Sequence, residues 1–504
     1  MVSARKRLAT LVALPALLAA VLCLLRAVAV GIATGSPYVL ALDDPYIHFA
    51  VARQFGRTGA FSLDPFEAAA PSSSPFWLLS LVPASVSGIL WLPVVQVVLV
   101  NTAGAAFAMR VLWSLLRQAA VPVRRRLPVL MLIALFLPLI PLESTGMEHV
   151  WHVALCLWIA DRHGTWMRLG RRRALWEALA AAFLAAGLRF ETAFFLVGFG
   201  LVALVRRDVR GVAGLAVASA LGACAALAIT RMGSDAWVPS SILAKTASGT
   251  EGLVDRLREG WDRLAGHRFH APLALANALA LAWGMGLHGA ARARVAQWPA
   301  TYLAAVALHA LLARFGWMER YDAYLVAPGL LGIIAAFQCM EGRRGSGARG
   351  WAFRVAGGAL CGGIAWFGFV KAWAHLWSVG LALSMVGQHQ RAAELVLANP
   401  HMAEAPIAVT DLGLIAWITD APMADLEGLT SPELLRAKLS ADRNDVTRRI
   451  LRERGVRYAI IHDALVPEPI RAGWKREAVW VEDTVFGGMD PVTVLYELPC
   501  PWEP

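Results

Sequence analysis

The stretch GVAGLAVASALGACAALAIT occupies residues 211–230, with Arg206, Arg207 and Arg210 before it and Arg231 after it. Twenty uncharged residues in a helix rise about 30 Å, the thickness of the hydrocarbon layer of a bilayer. A helix packed at a protein surface needs one apolar stripe, whereas this one is apolar all round. It reads as a membrane span. Comparable runs lie on either side of it, at about 92–116, 127–142, 147–160, 174–188 and 191–205, then at 271–290, 297–313, 322–340 and 351–371. The sequence opens with Arg5-Lys6-Arg7 and a run from about Leu8 to Ala33, which is long enough to cross a bilayer rather than to serve as a cleaved leader.

Composition agrees with this reading along the whole chain. Of 504 residues, 58% are hydrophobic and 16% charged, and the mean hydropathy is +0.55. Soluble domains carry roughly 25% charged residues. A soluble enzyme, a disordered chain and a collagen-like fibre are excluded. The net charge of +11 does not mark a nucleic-acid binder. From residue 385 onward, 12 Lys/Arg face 18 Asp/Glu, and the basic surplus sits in short loops between apolar runs. Arg117 with Arg124 to Arg126, Arg162 to Arg173, Arg206-Arg207, Arg292 with Arg294, and Arg343-Arg344 all fall on the N-terminal side. That is the positive-inside pattern, with the N-terminus inside and the C-terminus outside.

The expected fold is therefore mainly α: a polytopic membrane protein of about 11 transmembrane helices. Phe76 to Leu90 would invert everything downstream if it crossed, so it is expected to be a re-entrant or interfacial helix. Residues 1–371 form the membrane module, with long outer loops at 34–75 and 231–270. Residues 372–504 form a small outer α/β domain, because apolar runs at Pro406–Thr410, Tyr458–Ile461 and Val492–Tyr496 alternate with helical stretches such as Pro432–Arg454. Cys23, Cys156, Cys224, Cys339 and Cys361 fall in apolar runs, and no zinc-ligand spacing is present.

Chemistry concentrates in the first outer loop, Leu42-Asp43-Asp44-Pro45-Tyr46-Ile47-His48-Phe49. Asp44 before Pro45 makes a good helix N-cap, and Ile47, Val51 and Phe55 fit one helix face. Capping leaves Asp43 unexplained. A second carboxylate beside apolar surroundings suits a general base or a metal ligand, so a divalent metal held by Asp43 and Asp44 is possible.

The loop continues into Ser72-Ser73-Ser74-Pro75-Phe76-Trp77. With the Asp pair, this resembles the polyprenyl-phosphate-sugar-dependent glycosyltransferases of the C superfamily. Within it the chain most resembles the bacterial mannosyl- and arabinofuranosyltransferase-like membrane proteins. Further segments follow in the family's order: Ser144-Thr145-Gly146-Met147-Glu148, Gly187-Leu188-Arg189-Phe190-Glu191, Pro239 to Thr246 with Lys245, Arg320-Tyr321, Thr410-Asp411-Leu412-Gly413, and Asp425 to Thr430. Ser240 and Ser241 stand where relatives often carry Asn, Phe190 where Pro is common, and Pro45 where a small residue is common. These departures bear on the sugar and acceptor.

The resemblance implies an inverting transfer of a sugar, hexosyl or pentosyl, from a polyprenyl-phosphate donor to a glycan, lipid or protein acceptor. It places the reaction on the outer face of a bacterial-type cytoplasmic membrane. Asp43 is then the candidate base, with Asp44 positioning the acceptor. Arg189, Lys245 and Arg320 are candidates for the donor phosphate, because Arg offers a bidentate fork and Lys a point charge. Glu148, His48, Tyr321 and Trp77 complete the candidate set. Each has a structural alternative. Arg189 and Glu191 suit a plain ion pair, Glu148 a helix cap and Lys245 a solvated loop. His48 suits a polar helix position, and Glu319 and Asp322 suit local partners of Arg320. His149 and His152 share a face without defining a zinc site. Two other functions remain open: a ligase or polymerase moving a glycan from a polyprenyl diphosphate, and a transporter or flippase.

Overall fold

The computed structural model describes residues 21, 24–25, 28–36, 39–246, 253–316, 320–341, 381–440, 442–481 and 492–499. The expected span at 351–371 and most of the first one lie outside the described residues.

Helices dominate. After the end of the first apolar run come α1 (Asp44–Thr58), α2 (Pro75–Ser85), α3 (Leu92–Gln118), α4 (Val123–Phe136) and α5 (Leu139–Ser144). Then follow α6 (His149–Leu169), α7 (Arg172–Leu188), α8 (Thr192–Val205), α9 (Val209–Gly233), α10 (Ser240–Thr246) and α11 (Leu253–Ala265). The helical part closes with α12 (His270–Met285), α13 (Gly289–Leu312) and α14 (Ala323–Glu341). Three of the described helices contain segments that are each long and apolar enough to cross a membrane: 92–118, 209–233 and 295–312. The chain is a multi-pass membrane protein.

The run expected at 127–142 is two helices, broken at Pro138, whose missing N–H and fixed φ end α4. Several helices outrun their apolar core. α6 continues to Leu169, because the basic residues that leave the hydrocarbon layer are themselves good helix formers. α2 is 11 residues long, about 16 Å of rise against about 30 Å of hydrocarbon. It is too short to cross and packs on α1, α3 and α9.

The C-terminal part is a five-stranded sheet in the order β2-β1-β3-β5-β4, with β1 (Ile407–Val409), β2 (Met423–Asp425), β3 (Tyr458–His462), β4 (Lys475–Val481) and β5 (Val492–Glu497). β2, β1 and β3 run parallel, and β5 and β4 complete the sheet antiparallel. Its helices include α15 (Arg391–Ala398), α16 (Gly413–Thr419), α17 (Pro432–Lys438) and α18 (Arg443–Glu453). The helical stretch Pro432–Arg454 is made of two helices.

The period-2 alternation of the strands decides what each sheet face covers. Ile407, Val409, Ile460 and Leu495 join a core with Tyr46, Phe49 and Val51 of α1 and with Trp417 of α16. Ala408, Ala459, Ile461, Val494 and Tyr496 point the other way, into a second core with Leu434 and Ile450. One face of the sheet domain is therefore built onto the loop helix that follows the first apolar run.

That junction is reinforced by charge. α1 and α16 lie side by side in the same sense. The Asp43 carboxylate accepts from the N–H groups of Gly413 (2.6 Å) and Leu414 (2.8 Å) at the start of α16. Arg53, one helix length on, donates to the carbonyls of Ala416 (2.9 Å) and Trp417 (3.0 Å) near its end. An anion at the N-terminus and a cation at the C-terminus are what the helix dipole favours. A Cβ at Gly413 would lie 2.2 Å from the Asp43 carbonyl oxygen, so only glycine permits this approach. A second junction joins Arg454 to Asp64 and Glu67 of the 59–74 loop, with Glu433 at 3.2 Å.

Candidate functional site

Asp43 occupies the N-cap position of α1, one residue earlier than the sequence suggested, and Asp44 is the first helical residue. Their carboxylates diverge. Asp43 turns to α16, whereas Asp44 pairs with Arg320 Nη1 at 2.9 Å. Among the described residues, no cluster of potential metal ligands contains either carboxylate.

The turn 144–148 brings Glu148 to the same place. Gly146 sits at φ +65°, and a Cβ there would lie 2.6 Å from Leu40 and 3.0 Å from Pro45, so glycine lets this turn press against the start of α1. Glu148 precedes α6 but makes no capping hydrogen bond. It is fully buried, and its Oε1 lies 3.1 Å from Arg189 Nη1. Arg189 ends α7 in extended backbone, pairs with Glu191 at 2.5 Å and donates to the Ser73 hydroxyl at 3.4 Å.

Arg320 completes the cluster. It donates from Nη2 to the Tyr321 hydroxyl at 3.0 Å, and its guanidinium lies 4.9 Å from the Tyr321 ring centre. The Arg189 guanidinium lies 5.9 Å from the same ring. Asp322 does not serve Arg320. It bonds His270 at 2.7 Å and accepts from the Gly316 N–H, while Glu319 lies outside the described residues. His48, one helical turn after Asp44, is buried and within electrostatic reach of Glu148, Asp44, Arg320 and Arg189.

Burial lowers the His48 pKa against the pull of Glu148 and Asp44, so the ring is neutral at pH 7. Burial opposes the charge of Arg189, but Glu191 and Glu148 outweigh it and raise its pKa. Arg320 behaves alike, with Asp44 and Tyr321 outweighing its burial. Both arginines stay charged and are already matched by carboxylates. Three buried polar atoms in this cluster have no hydrogen-bond partner: Nδ1 of His48, Oε2 of Glu148 and Nε of Arg320. Unsatisfied buried polar atoms cost about 1–3 kcal/mol each, so such a cluster is a place that a polar ligand would stabilise.

Beside the cluster opens a cavity of about 730 Å³. Ser73, Glu191 and Tyr321 join the two. The rest of its lining is mixed, with Phe190, Phe194, Ile242, Leu311 and Phe315 against Arg256, Arg263, His267 and Arg314. Arg263 pairs with Glu259. Among the described residues, Arg256 and Arg314 have no carboxylate partner.

These basic residues were missed from the sequence. The signal was there: residues 253–265 read LVDRLREGWDRLA, an amphipathic pattern with arginine on the polar face.

The remaining candidates lie elsewhere. Lys245 falls on α10, and its side chain is outside the described residues. Trp77 is buried in α2 and lines a different, apolar cavity of about 640 Å³ with Phe107, Trp151 and Trp158. His149 meets the Tyr321 ring edge-on at 6.3 Å, and His152 bonds the Thr192 hydroxyl at 3.1 Å, so the two histidines serve separate neighbours.

Comparison with known proteins adds three findings. Residues 384–496 match a family described as a domain of unknown function, DUF8728. No curated protein matches. Over 96% of its length the chain is similar to the crystal structure of ArnT from Cupriavidus metallidurans bound to undecaprenyl phosphate, with 98% of that chain covered, 15% identity and a TM-score of 0.51. The apo structure of the same protein is 16% identical over 95% of this chain and 97% of that one, with a TM-score of 0.49. At such identity the likeness is one of fold: a helical membrane module carrying a small C-terminal sheet domain.

Proposed function

We propose that this chain is a membrane glycosyltransferase that moves a sugar from a polyprenyl-phosphate donor to an acceptor hydroxyl. The observation that carries the reading is the joining of a carboxylate–arginine cluster to a cavity lined by apolar side chains and by Arg256, Arg263 and Arg314. A polyprenyl phosphate has the same division, a long apolar chain and an anionic head. Support also comes from the motifs that resemble the C-superfamily glycosyltransferases and from a fold shared with a protein crystallised with undecaprenyl phosphate.

In this reading the phosphate lies among Arg256, Arg263 and Arg314, and Arg320 contributes its spare Nε–H. Arg189 is a positioning residue that holds Glu148 and Glu191, and Lys245 remains a further candidate for the phosphate. The acceptor oxygen attacks the anomeric carbon and the bond from that carbon to the phosphate oxygen breaks. The electron pair leaves on the phosphate, where fixed positive charge stabilises it. The acceptor proton passes to a carboxylate, and a single displacement inverts the configuration.

Asp43 was the base expected from the sequence, but both its oxygens accept from backbone N–H groups at the start of α16, so neither is turned toward the cavity. The role passes to Asp44, whose side chain is 36% exposed. Arg320, drawn toward the phosphate, would release it. Asp43 then positions its neighbour. The sugar is taken to be a hexose or pentose, of mannosyl or arabinofuranosyl type on the family resemblance. Residues 1–371 form the membrane module and 372–504 the outer domain, with the N-terminus cytoplasmic and the site on the outer face of a bacterial inner membrane.

The test is release of polyprenyl phosphate by purified protein given a panel of polyprenyl-phosphate sugars and glycan, lipid or protein acceptors. Acceptor-dependent release should fall about 10²–10⁴-fold in Asp44→Asn, the range for loss of a general base. Equal release by wild type, Asp43→Asn and Asp44→Asn would remove both carboxylates from the chemistry.

A further inference from the structure

Away from the cavity, three ligand-type side chains converge behind Asp43. They are His389 from the π-helical turn Val386–Gln390, Asp411 from the loop between β1 and α16, and His462 from the end of β3. One ligand atom of each lies within 4.8 Å of the others, and both histidines are buried.

His462 Nδ1 lies 3.0 Å from the carbonyl oxygen of Val492, which can only accept, so Nδ1 carries the proton. Nε2 is then the ring nitrogen that can face a cation. It faces Asp411 Oδ2 at 2.8 Å. Two acceptors at that distance need a cation between them. A proton would serve this pair, but it would leave His389, which is 1% exposed and whose Nδ1 has no hydrogen-bond partner. That nitrogen stands 3.5 Å from Asp43 Oδ1. A metal ion would engage all three groups at once.

We propose that His389, Asp411 and His462 form a binding site for a divalent transition-metal ion of the zinc type. Two imidazole nitrogens and one carboxylate oxygen suit Zn²⁺ and leave a fourth position open. The outer contacts already orient the ligands. The Val492 carbonyl fixes the His462 tautomer, as partners of metal-bound histidines do. The backbone N–H of His462 donates to the Thr410 hydroxyl at 3.1 Å, which ties β3 to the residue preceding Asp411. Asp43 holds Gly413 and Leu414 just beyond. At metal–ligand distances of about 2.1 Å, ligand atoms sit about 3.4 Å apart, so small side-chain rotations close the site. The bound ion would lock the π-helical turn, the β1 loop and β3 behind Asp43. This inference does not depend on the reading of the cavity.

The full chain in detergent, stripped with a chelator and dialysed, is titrated with Zn²⁺ against a competing indicator and separately loaded with Co²⁺. Wild type should bind one equivalent, gain thermal stability with Zn²⁺ and show visible Co²⁺ bands. His462→Gln and His389→Gln should bind at least about 100-fold more weakly and lose the bands. His401→Gln, at an exposed histidine, should match wild type. Wild type that binds no Zn²⁺ at micromolar concentration and shows no Co²⁺ bands overturns the site. So does binding unchanged in both histidine variants. If the variants do not yield monodisperse protein, the stoichiometry and Co²⁺ spectrum of wild type decide the matter.

Discussion

Replacing Asp43 by asparagine separates its role as a pin from a role in chemistry. The carboxylate accepts two backbone N–H groups, at 2.6 and 2.8 Å, from the first turn of α16. Asparagine keeps one acceptor oxygen and turns an NH₂ group toward the other N–H. One charge-assisted hydrogen bond is lost, and a buried donor is left facing a donor. Together these cost about 3 kcal/mol, and every 1.4 kcal/mol is about tenfold in an equilibrium. Local opening of α16 should therefore become about 100-fold more frequent. Hydrogen exchange followed by mass spectrometry on peptides covering 413–419 reads this directly. Peptides from α9 serve as the internal standard. Asp44→Asn, which touches Arg320 instead, should leave exchange in 413–419 unchanged. A change below about threefold in Asp43→Asn would sink the reasoning, because it would mean that the two contacts contribute less than about 0.7 kcal/mol.

Three further outcomes follow from the geometry. Gly413→Ala should destabilise the sheet domain by about 1–3 kcal/mol as an overpacked contact, seen as a lower Tm, because its Cβ has no room against Asp43. Arg454→Met should cost about 3–5 kcal/mol by stranding the buried Asp64 carboxylate; adding Asp64→Asn should restore part of the loss, and a double variant no better than Arg454→Met would count against the pairing. Burial pushes the Asp425 carboxyl up to about 6, although the backbone N–H groups of Thr430 and Glu427 pull the other way. The folded state then holds this proton more tightly than the unfolded state, whose value is near 3.8. Its contribution is fully present below pH 4 and declines, by up to about 3 kcal/mol, as pH rises from 4 to 6. Denaturant titrations at pH 4.5 and 7 should show that decline in wild type and not in Asp425→Asn; equal pH dependence in the two would refute it.

Apolar length and loop charge made the membrane helices legible, because lipid selects for both without reference to tertiary partners. The ends of α6 and the break at Pro138 were less legible, since helix propensity and proline act inside a run that hydropathy treats as uniform. Three strands announced themselves as short apolar runs. β4 did not, because at the sheet edge it opens with three exposed charged residues, Lys475 to Glu477, and neither did the three-residue β2. The pairing of Asp44 with Arg320 spans 276 positions, and no local pattern encodes it. Nor could the sequence say that adjacent carboxylates diverge. That depends on Gly413 letting α16 approach Asp43, a fact of packing. The meeting of His389, Asp411 and His462 went unread because ligand spacing is read along a helix or loop, while these three come together only when the sheet forms.

Consecutive Cα atoms are about 3.8 Å apart, and the peptide plane between them is stiff. One such plane joins Asp43, anchored in the sheet domain, to Asp44, anchored on Arg320. It acts as a tie rod between the sheet domain and the Arg320 cluster. A tilt of the sheet domain re-aims the Asp44 carboxylate, and a ligand that draws Arg320 away slackens the hold on the domain. Such coupling runs equally in both directions. The seating of the sheet domain and the aim of the Asp44 carboxylate are thus linked through a single peptide unit.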